Sequence, residues 1–504
     1  MVKRAQRARL VPALVVSLVL LGLTALPAAA GNPLSVTGLN PATGPTVGGT
    51  NVLVTGTGFL NGVNSVKFGL TAATNVVVVN DSQLTADSPF HVRGVVDVTV
   101  SNTFSTSPIT ASDQFTYAPL KWYFTWYDSA SPGMLADNIH LLNTSAGATD
   151  ITVSMPGATT IPVTLASGAE TYVSFGAGHI GGPVVVSSDR QILTAKRVQY
   201  YQTFNEVWGQ AAGLAQLTTL FSWYDNASAG MAANNIHVVN PGTMSSDVTM
   251  TLGPTGPPST MVTVPGGAQA YLHFPAGTIG GPVVVKGTQP VMASQRVQYY
   301  SSFNEVWGRD ASQAATNLYL NWYDIASNGM LGDKIHLLNP NSGSNTVTVT
   351  VHGFPPVIKV LATGEESYVT FPAGTIGGEV SISGTQSVLA SQRVQYYSSF
   401  NEVWAQSAIQ AGQTDSFFNW YDKASPGMLN DNIHLFNTSA LPAIVTVHIP
   451  GATDQVKTIA AFTEDYVTFP ASTIGGPVHV TSTQPVMASQ RVQYYRSFNE
   501  IWSA

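Results

Sequence analysis

The sequence predicts an all-β protein built from tandem β-sandwich domains. Three observations predict this class: short extended stretches between Gly, Pro and Asn, a long-period internal repeat, and abundant Val, Thr, Tyr and Trp. These residue types favour strands, and several short strands at regular spacing are typical of sandwiches. We expect the domains to form an elongated array, and repeats closed into a β-propeller are the alternative fold.

The first thirty residues have the order of an export signal. Four basic residues within the first nine positions precede an apolar stretch, and three alanines end at position 30. This order of basic, apolar and small residues is typical of a cleaved secretory signal. We therefore expect residues 1–30 to be a signal peptide and the mature protein to be secreted, extracellular or associated with the cell surface. No transmembrane segment is expected apart from the signal.

The composition excludes several classes of protein. The chain has 504 residues, a formal net charge of −7 and no cysteine, and its predicted signal carries basic residues but no acidic ones. A nucleic-acid-binding protein needs a basic face, so nucleic acid is not an expected partner. Without cysteine there is neither a disulfide nor a thiolate metal site, and stability must come from packed cores.

The chain divides into an N-terminal domain and four copies of one unit. The landmark Trp-Tyr-Asp recurs at Trp126, Trp223, Trp322 and Trp420, at spacings of 97, 99 and 98 residues. Each copy closes with Arg-Val-Gln-Tyr-Tyr and Phe-Asn-Glu-Val/Ile-Trp, and short Ala/Gln-rich connectors separate the copies. We expect a first domain at 31–118 and repeats 1 to 4 at 119–208, 219–307, 317–404 and 416–504.

The first domain carries glycine and aromatic landmarks between its alternating stretches. They are Pro41, Gly44, Gly48-Gly49-Thr50, Gly56, Gly58-Phe59, Val66-Lys67-Phe68-Gly69, Gly94 and Phe115-Thr116-Tyr117. With these residues the segment resembles the IPT/TIG family of immunoglobulin-like domains. The resemblance implies a module that displays or contacts something and supplies no catalytic residue. Members serve in extracellular receptors, in bacterial surface and secreted proteins, and beside the DNA-binding parts of some transcription factors.

The four repeats are similar in plan to the tandem β-sandwich repeats of bacterial surface proteins, and six of their polar and aromatic positions recur in every copy. These positions are Trp126, Asp128, His140, Arg197, Glu206 and Trp208 in repeat 1; Trp223, Asp225, His237, Arg296, Glu305 and Trp307 in repeat 2; Trp322, Asp324, His336, Arg393, Glu402 and Trp404 in repeat 3; and Trp420, Asp422, His434, Arg491, Glu500 and Trp502 in repeat 4. We interpret them as structural, because an Arg on a sandwich strand needs partners wherever it is part-buried.

The same residues are also compatible in part with catalytic or metal-binding roles. Asp and Glu of one repeat could flank a glycosidic bond, if an open cleft held Asp128 near Glu206. The loop from Asp128 to Asn138 offers oxygen ligands for calcium, but the position of Asn138 is Lys334 in repeat 3. One His per copy makes no zinc site. In three copies a Ser precedes the Gln-Arg pair, but the first copy has Ala195 at this position. A catalytic nucleophile would be needed in every copy, so this Ser is not interpreted as one.

These observations predict a non-enzymatic secreted or cell-surface protein that acts in adhesion, in binding or as a spacer. We expect no catalytic residue, no cofactor and no metal. The expected partner is a surface ligand, either a protein or a glycan, and self-association is possible. Four near-equal units could multiply a weak contact, because linked sites gain avidity. The alternative is a carbohydrate-binding protein or an accessory module of an extracellular polysaccharide hydrolase, since Trp and Tyr can stack on sugar rings.

Overall fold

The computed structural model describes residues 32–253 and 256–504, so the predicted signal peptide lies outside the described residues. The described chain separates into two compact units. The first comprises residues up to 44 with 49–89 and 95–116, and the second comprises 45–48, 90–94 and 117–504. Strands dominate both units, which confirms the predicted all-β class.

Residues 35–118 form two sheets from nine strands. The strands are β1 Ser35–Asn40, β2 Thr43–Pro45, β3 Asn51–Thr57, β4 Ser65–Phe68, β5 Thr71–Ala72, β6 Thr74–Asn80, β7 Gln83–Asp87, β8 Gly94–Ser101 and β9 Gln114–Ala118. The sheet orders are β1-β3-β7-β6 and β2-β9-β8-β4-β5. Alternation places Val52 and Val54 of β3 in the core between the sheets, and a 3₁₀ turn at Ala111–Asp113 precedes the last strand.

The strands of the four repeats follow one another in the same order. Repeat 1 has β10 Leu120–Phe124, β11 Tyr127–Asp128, β12 Met134–Leu142, β13 Thr149–Ser154, β14 Ile161–Leu165, β15 Glu170–Val173, β16 Ile180–Gly181, β17 Val184–Ser188, β18 Leu193–Tyr200, β19 Thr203–Trp208 and β20 Gln210–Ala211. Repeat 2 has β21 Gln216–Phe221, β22 Tyr224–Asp225, β23 Met231–Val239, β24 Ser246–Leu252, β25 Thr260–Val264, β26 Gln269–Leu272, β27 Ile279–Gly280, β28 Val283–Tyr299 and β29 Ser302–Trp307. Repeat 3 has β30 Ala315–Leu320, β31 Tyr323–Asp324, β32 Met330–Leu338, β33 Asn345–Val351, β34 Val357–Leu361, β35 Glu366–Val369, β36 Ile376–Gly377, β37 Val380–Tyr396 and β38 Ser399–Trp404. Repeat 4 has β39 Gly412–Phe418, β40 Tyr421–Asp422, β41 Met428–Asn437, β42 Ala443–His448, β43 Gln455–Ile459, β44 Glu464–Val467, β45 Ile474–Gly475, β46 Val478–Tyr494 and β47 Ser497–Trp502.

The connectors between repeats each contain one short helical turn. These turns are Ala212–Leu214, Ala311–Gln313 and the four-residue helix α1 at Ala408–Ala411. Within the part of the chain that the structure describes, no helix combines the length and apolar character needed to cross a membrane.

Each repeat is a sandwich of two antiparallel sheets. In repeat 2 the first sheet contains β25, β24, the first half of β28 and β21, and the second contains β26, β23, the second half of β28 and β29. The long strands β37 and β46 play the same double role, whereas repeat 1 divides this strand into β17 and β18. Tandem sandwich domains are thereby confirmed. Because each repeat consists of two facing sheets, the propeller alternative does not describe it.

Alternating apolar side chains explain why each repeat has its own core. In β33, Val347, Val349 and Val351 are buried, and the Thr residues between them point away from the core. Each repeat contributes one apolar cluster from both of its sheets.

The closing Tyr-Tyr motif makes a tight hairpin between the last two long strands. In repeat 1, Tyr201 adopts a φ of +50° and its backbone N–H donates to Gly133 O at 2.7 Å. A Cβ added at Gly133 would lie 2.2 Å from the Tyr201 ring, so only glycine fits under this ring. The arrangement recurs in all four repeats and fixes the start of the last strand.

The last strands of the four repeats close a ring within the second unit. Strand β19 contacts β29 of repeat 2 and β47 of repeat 4, and β38 contacts the same two strands. The indole N–H of each closing Trp donates to the backbone carbonyl of the closing Trp in the preceding repeat, each at 2.7 Å: Trp307 to Trp208, Trp404 to Trp307, Trp502 to Trp404 and Trp208 to Trp502. Because the donor of repeat 1 is satisfied by repeat 4, this series of hydrogen bonds is closed.

The contacts between the four repeats therefore show that the predicted elongated array is wrong for this part of the chain. A head-to-tail contact closes into a ring when its rotation completes a full turn, and here four successive contacts do so. The short connectors were expected to hold neighbours in line. They instead allow each closing Trp to pack against the core of the repeat before it, as Trp307 packs against repeat 1 and Trp208 against repeat 4.

Candidate functional site

The recurring residues of different repeats meet at the four junctions of the ring. We call these junctions 1–2, 2–3, 3–4 and 4–1, after the preceding and the following repeat. At each junction the first Trp of the preceding repeat lies against the His of the following one. The ring centroids of Trp126 and His237 are 5.2 Å apart, and those of Trp420 and His140 are 5.8 Å apart. The same face of every repeat thus meets the repeat before it.

The recurring Arg and Glu of each repeat form an ion pair. Strands β37 and β38 place Arg393 directly opposite Glu402, and Nη1 of Arg393 lies 2.7 Å from Oε2 of Glu402. The corresponding N···O distances are 3.6 Å for Arg197–Glu206, 3.2 Å for Arg296–Glu305 and 3.2 Å for Arg491–Glu500. Each guanidinium also lies over a Phe of its own repeat, 4.5 to 4.8 Å from the ring centroid.

Glu305 at junction 1–2 is surrounded by donors from both repeats. Nζ of Lys196 lies 2.7 Å from Oε2, and the hydroxyls of Thr125 and Ser294 donate to Oε1 at 2.7 and 2.8 Å. Burial raises the pKa of a carboxyl, but the charges of Lys196 and Arg296 outweigh it and hold the pKa of Glu305 well below its usual range. Glu305 is therefore a buried carboxylate with a full set of partners.

Glu206 occupies the same position at junction 4–1 with fewer partners. Ala195 stands where repeat 2 has Ser294, and Asn419 stands where repeat 1 has Thr125. Burial raises the pKa of Glu206, and Arg197 offsets this only in part. Among the described residues, Oε2 of Glu206, Nη1 of Arg197 and both amide atoms of Asn419 have no hydrogen-bond partner. Junction 4–1 thus repeats the geometry of junction 1–2 without its complementarity.

Each recurring His lies between two aromatic rings. The His434 centroid is 5.5 Å from that of Trp322 in the preceding repeat and 5.4 Å from that of Tyr466 in its own repeat. Burial lowers the pKa of His434 well below its usual value and raises the pKa of Glu464 to about 8. Nδ1 of His434 lies 2.7 Å from Oε1 of Glu464.

Repeat 2 identifies the protonation state of this histidine. There Gln269 replaces the glutamate, and its Nε2 donates to Nδ1 of His237 at 2.9 Å. Nδ1 therefore accepts, and the neutral imidazole carries its proton on Nε2. The raised pKa of Glu464 allows the same pattern in repeat 4, with a protonated carboxyl donating to Nδ1.

The recurring Asp closes a turn instead of pairing with the Glu of its own repeat. Oδ1 of Asp128 accepts from the backbone N–H groups of Ala130 and Ser131, both at 2.9 Å, which is an Asx turn. The other three repeats have the same turn. In junction 4–1, Asp422 of repeat 4 lines a cleft with Arg197 of repeat 1. The Asp of one repeat thus meets the Arg of the next, and the Asp and Glu of a single repeat lie at different junctions.

The residues that the structure describes contain no group of three or more His, Asp or Glu side chains placed to hold a metal ion. The loop considered for calcium has a different arrangement: Oδ2 of Asp137 accepts from the backbone N–H of Asp128 at 2.9 Å. Asp137 is buried, and burial raises its pKa to about 6.

A cleft opens at every junction beside the Trp, His and Arg. The clefts enclose about 290 Å³ at junction 1–2, 120 Å³ at junction 2–3, 310 Å³ at junction 3–4 and 300 Å³ at junction 4–1. At junction 3–4 the walls include Trp322 of repeat 3 and Tyr466, Asn432, Arg491 and Gln493 of repeat 4. Trp126, Trp223, Trp322 and Trp420 all remain partly exposed.

Two kinds of residue in these clefts were not recognised as site residues from the sequence. The Tyr of the Tyr-x-x-Phe motif pairs in register with the His, as Tyr172 does with His140, and is about half exposed at 54%. The second kind is the residue two before the His, which is Asn138, Asn235 and Asn432 in three repeats and Lys334 in repeat 3. This residue lies two positions before the His on the same strand, so both side chains lie on one face of the sheet. That spacing was the sequence signal that could have identified it.

Comparison with solved structures returned similarities of low TM-score. One is the extracellular region of plexin A4, domains 1 to 10, at 10% identity over 88% of this chain and 47% of that chain, with a TM-score of 0.15. Another is a tetra-tandem repeat in the extending region of a large adhesion protein, at 9% identity over 81% of this chain and 94% of that chain, with a TM-score of 0.10. A third is a crystal structure of domains CD, residues 230-489, of its protein, at 10% identity over 55% of this chain and 99% of that chain, with a TM-score of 0.16. TM-scores of this size establish no shared overall arrangement.

No curated protein matches the chain in sequence. The model of the IPT/TIG domain matches residues 34–117. This range covers the two sheets of the first domain, and it contains the glycines and the closing Phe115-Thr116-Tyr117 that carry the resemblance. Residues 34–117 of this chain are therefore an IPT/TIG domain of immunoglobulin-like fold.

Proposed function

We propose that this chain is a non-enzymatic secreted or cell-surface protein that binds a surface ligand through the junction clefts of its ring. The observation that carries the proposal is the fourfold recurrence of one cleft lined by a partly exposed Trp, an exposed Tyr and the ion-paired Arg. Concave sites that combine aromatic walls with a few polar groups are typical of ligand binding. Several such sites on one rigid body gain avidity for a surface that repeats its ligand.

A binding role fits the state of the carboxyl groups better than catalysis does. The four recurring Glu side chains are buried and paired with Arg, and the recurring Asp side chains close turns. A glycosidase needs two carboxyl groups facing one bond. The Asp and Glu of one repeat lie at different junctions, and the Glu that shares a junction with the Asp of the preceding repeat is buried and ion-paired with Arg, so neither arrangement supplies such a pair.

An extracellular location is supported by two features outside the ring. The first thirty residues have the order of a secretory signal, and residues 34–117 belong to a domain type that occurs in extracellular receptors and bacterial surface proteins. We expect the mature chain to begin at Gly31 and to act in adhesion at the cell surface. The binding experiment distinguishes this adhesive role from that of a spacer, which would bind no ligand.

The test measures retention of the mature chain on insoluble envelope material from the source cells. A matched variant carries Asn138→Lys, Asn235→Lys and Asn432→Lys, because Lys334 already occupies this position in repeat 3 without disrupting the ring. We expect retention of the wild type and loss of retention in the triple variant at unchanged thermal stability. Retention of neither protein would contradict the binding role and leave a spacer, whereas equal retention of both would place the contact outside the clefts.

A further inference from the structure

Three of the four junction clefts are alike in size and composition. The clefts of junctions 1–2, 3–4 and 4–1 enclose about 290, 310 and 300 Å³ and have Asn at the position two before the His. This size lies at the lower end of the range for small-molecule sites, roughly 300–1,000 Å³. It suits one or two rings of a larger ligand that continues into solvent.

The aromatic walls of these clefts present flat apolar faces beside polar edges. At junction 3–4, Trp322 is partly exposed and Tyr466 is 42% exposed, with the neutral His434 between them. A pyranose ring has one face of axial C–H groups that packs on such a surface, while its hydroxyls point outward to polar side chains. A purely apolar ligand would leave the polar groups of the cleft unsatisfied.

The polar groups of the clefts call for a ligand that both donates and accepts hydrogen bonds. An Arg and an Asn line each of these clefts, Arg197 and Asn138 in junction 4–1 and Arg491 and Asn432 in junction 3–4. Arg and Asn occupy equivalent positions in both clefts. A hydroxyl group can accept from the guanidinium and can donate to the amide oxygen, whereas a phosphate or carboxylate can only accept.

The charge balance of the clefts favours a neutral ligand. The Arg of each cleft is already paired with a buried Glu, as Arg491 is with Glu500 at 3.2 Å. Asp324 adds a carboxylate to the wall of junction 3–4. An anionic ligand would meet this carboxylate without finding a free positive charge.

Junction 2–3 differs from the other three at the position of the Asn. Lys334 replaces the Asn, and its Nζ lies 4.9 Å from the centroid of the Tyr368 ring. The cleft encloses only about 120 Å³. At junction 2–3 the side chain of Lys334 thus fills space that is open at the other three junctions.

From these observations we propose that the clefts of junctions 1–2, 3–4 and 4–1 each bind a neutral sugar residue of a glycan, stacked on the Trp and Tyr rings and hydrogen-bonded by the Arg and Asn. The cleft of junction 2–3 is closed to the sugar by Lys334. This inference rests on the proposed function and names the ligand class of the same clefts.

The experiment titrates the mature chain with three neutral trisaccharides, cellotriose, chitotriose and mannotriose, and counts the molecules bound per chain by calorimetry. We expect one of them to bind three per chain in the wild type, two in Asn432→Lys and none in the triple lysine variant, in proportion to the open clefts. Lys334→Asn is the reciprocal variant and should raise the count to four. Thermal unfolding of each variant verifies that the ring is intact.

Three outcomes would overturn the sugar assignment. They are the binding of no trisaccharide, binding that the triple variant leaves unchanged, and binding of a uronic-acid trisaccharide in place of the neutral ones. The envelope experiment keeps these failures apart from failure of the proposed function. If the wild type is retained on envelopes and the triple variant is not, while no trisaccharide binds or displaces it, the clefts bind a ligand of another class. If the wild type is not retained at all, the binding function itself fails.

Discussion

Junctions 1–2 and 4–1 have the same geometry but differ in how well their buried polar groups are satisfied. At junction 1–2, Glu305 receives the ammonium of Lys196 and two hydroxyl donors. At junction 4–1, Glu206 has Arg197 alone at 3.6 Å. Repeat 4 has Gln490 where repeat 1 has Lys196, so no ammonium group reaches Glu206.

This difference indicates where the ring is weakest. A buried polar atom without a partner costs about 1–3 kcal/mol, and junction 4–1 contains several such atoms among the described residues. The covalent chain connects repeats across the other three junctions, whereas junction 4–1 joins the two ends of the series. Junction 4–1 is thus less complementary than junction 1–2 and is held by non-covalent contacts alone, so we expect the ring to open there first.

The largest expected effect comes from neutralising the glutamate at junction 1–2, and the same change at junction 4–1 is its comparison. Glu305→Gln should lower the free energy of unfolding by about 3–5 kcal/mol, because it leaves the ammonium of Lys196 buried without its counter-charge. Glu206→Gln should lower it by less than Glu305→Gln does, because burial raises the pKa of Glu206 and Arg197 offsets this only in part. Urea unfolding of both variants at pH 7.5 measures the difference. Equal losses would show that the two junctions do not differ in electrostatic complementarity.

An intermediate effect is expected from Asp431, which faces Arg197 and Glu206 across junction 4–1. Burial raises its pKa from 3.8 to about 7. A carboxyl group whose pKa is raised in the folded state stabilises the protein below its unfolded pKa and loses this contribution as the pH rises through the folded value. Asp431→Asn removes the titration, so the variant should gain more than about 1 kcal/mol relative to the wild type between pH 5 and pH 8.

Repeat 2 and junction 1–2 provide the controls for this change. Asn234 already occupies the position in repeat 2 and accepts from Gln295 at 2.9 Å, so the substitution has a precedent in the chain. Asp137→Asn at junction 1–2 should give a smaller gain, because the pKa of Asp137 is raised only to about 6 beside Lys196. Thermal unfolding of both variants across this pH range tests the order. A gain independent of pH would show that Asp431 does not titrate there.

The sandwich fold of each repeat was predictable from the sequence, but the ring was not. Alternation such as Val347, Val349 and Val351 is a local pattern, and it indicates a strand with one buried face. Closure of the ring depends on the angle at each junction and on contacts such as Trp208 with Trp502, which are 294 positions apart. Short connectors are compatible with a line or with a ring, so their length could not distinguish the two.

The candidate site was predictable as a set of residues and not as an arrangement. Recurrence in a weakly charged sequence singled out the Trp, Asp, His, Arg and Glu of each copy. The sequence grouped Asp128 with Glu206 because they belong to one repeat, whereas the structure groups the Asp of one repeat with the Arg of the next. The contribution of Tyr172 depends on its register with His140, which a single sequence does not reveal.

The smallest effect is expected from adding one hydroxyl group at junction 4–1. The residue equivalent to Ala195 is Ser in the other three repeats. In repeat 2 this residue, Ser294, donates to Glu305 at 2.8 Å. Ala195→Ser would place a hydroxyl beside Glu206 and Asn419, and it should stabilise the ring by about 0.5–1.5 kcal/mol. The reverse change Ser294→Ala should cost about 1–3 kcal/mol, because it removes a donor from a buried carboxylate. Denaturant unfolding of the pair distinguishes two explanations of junction 4–1. Stabilisation by Ala195→Ser means that the junction is weak because it lacks this donor, and destabilisation means that its packing has adapted to the smaller side chain.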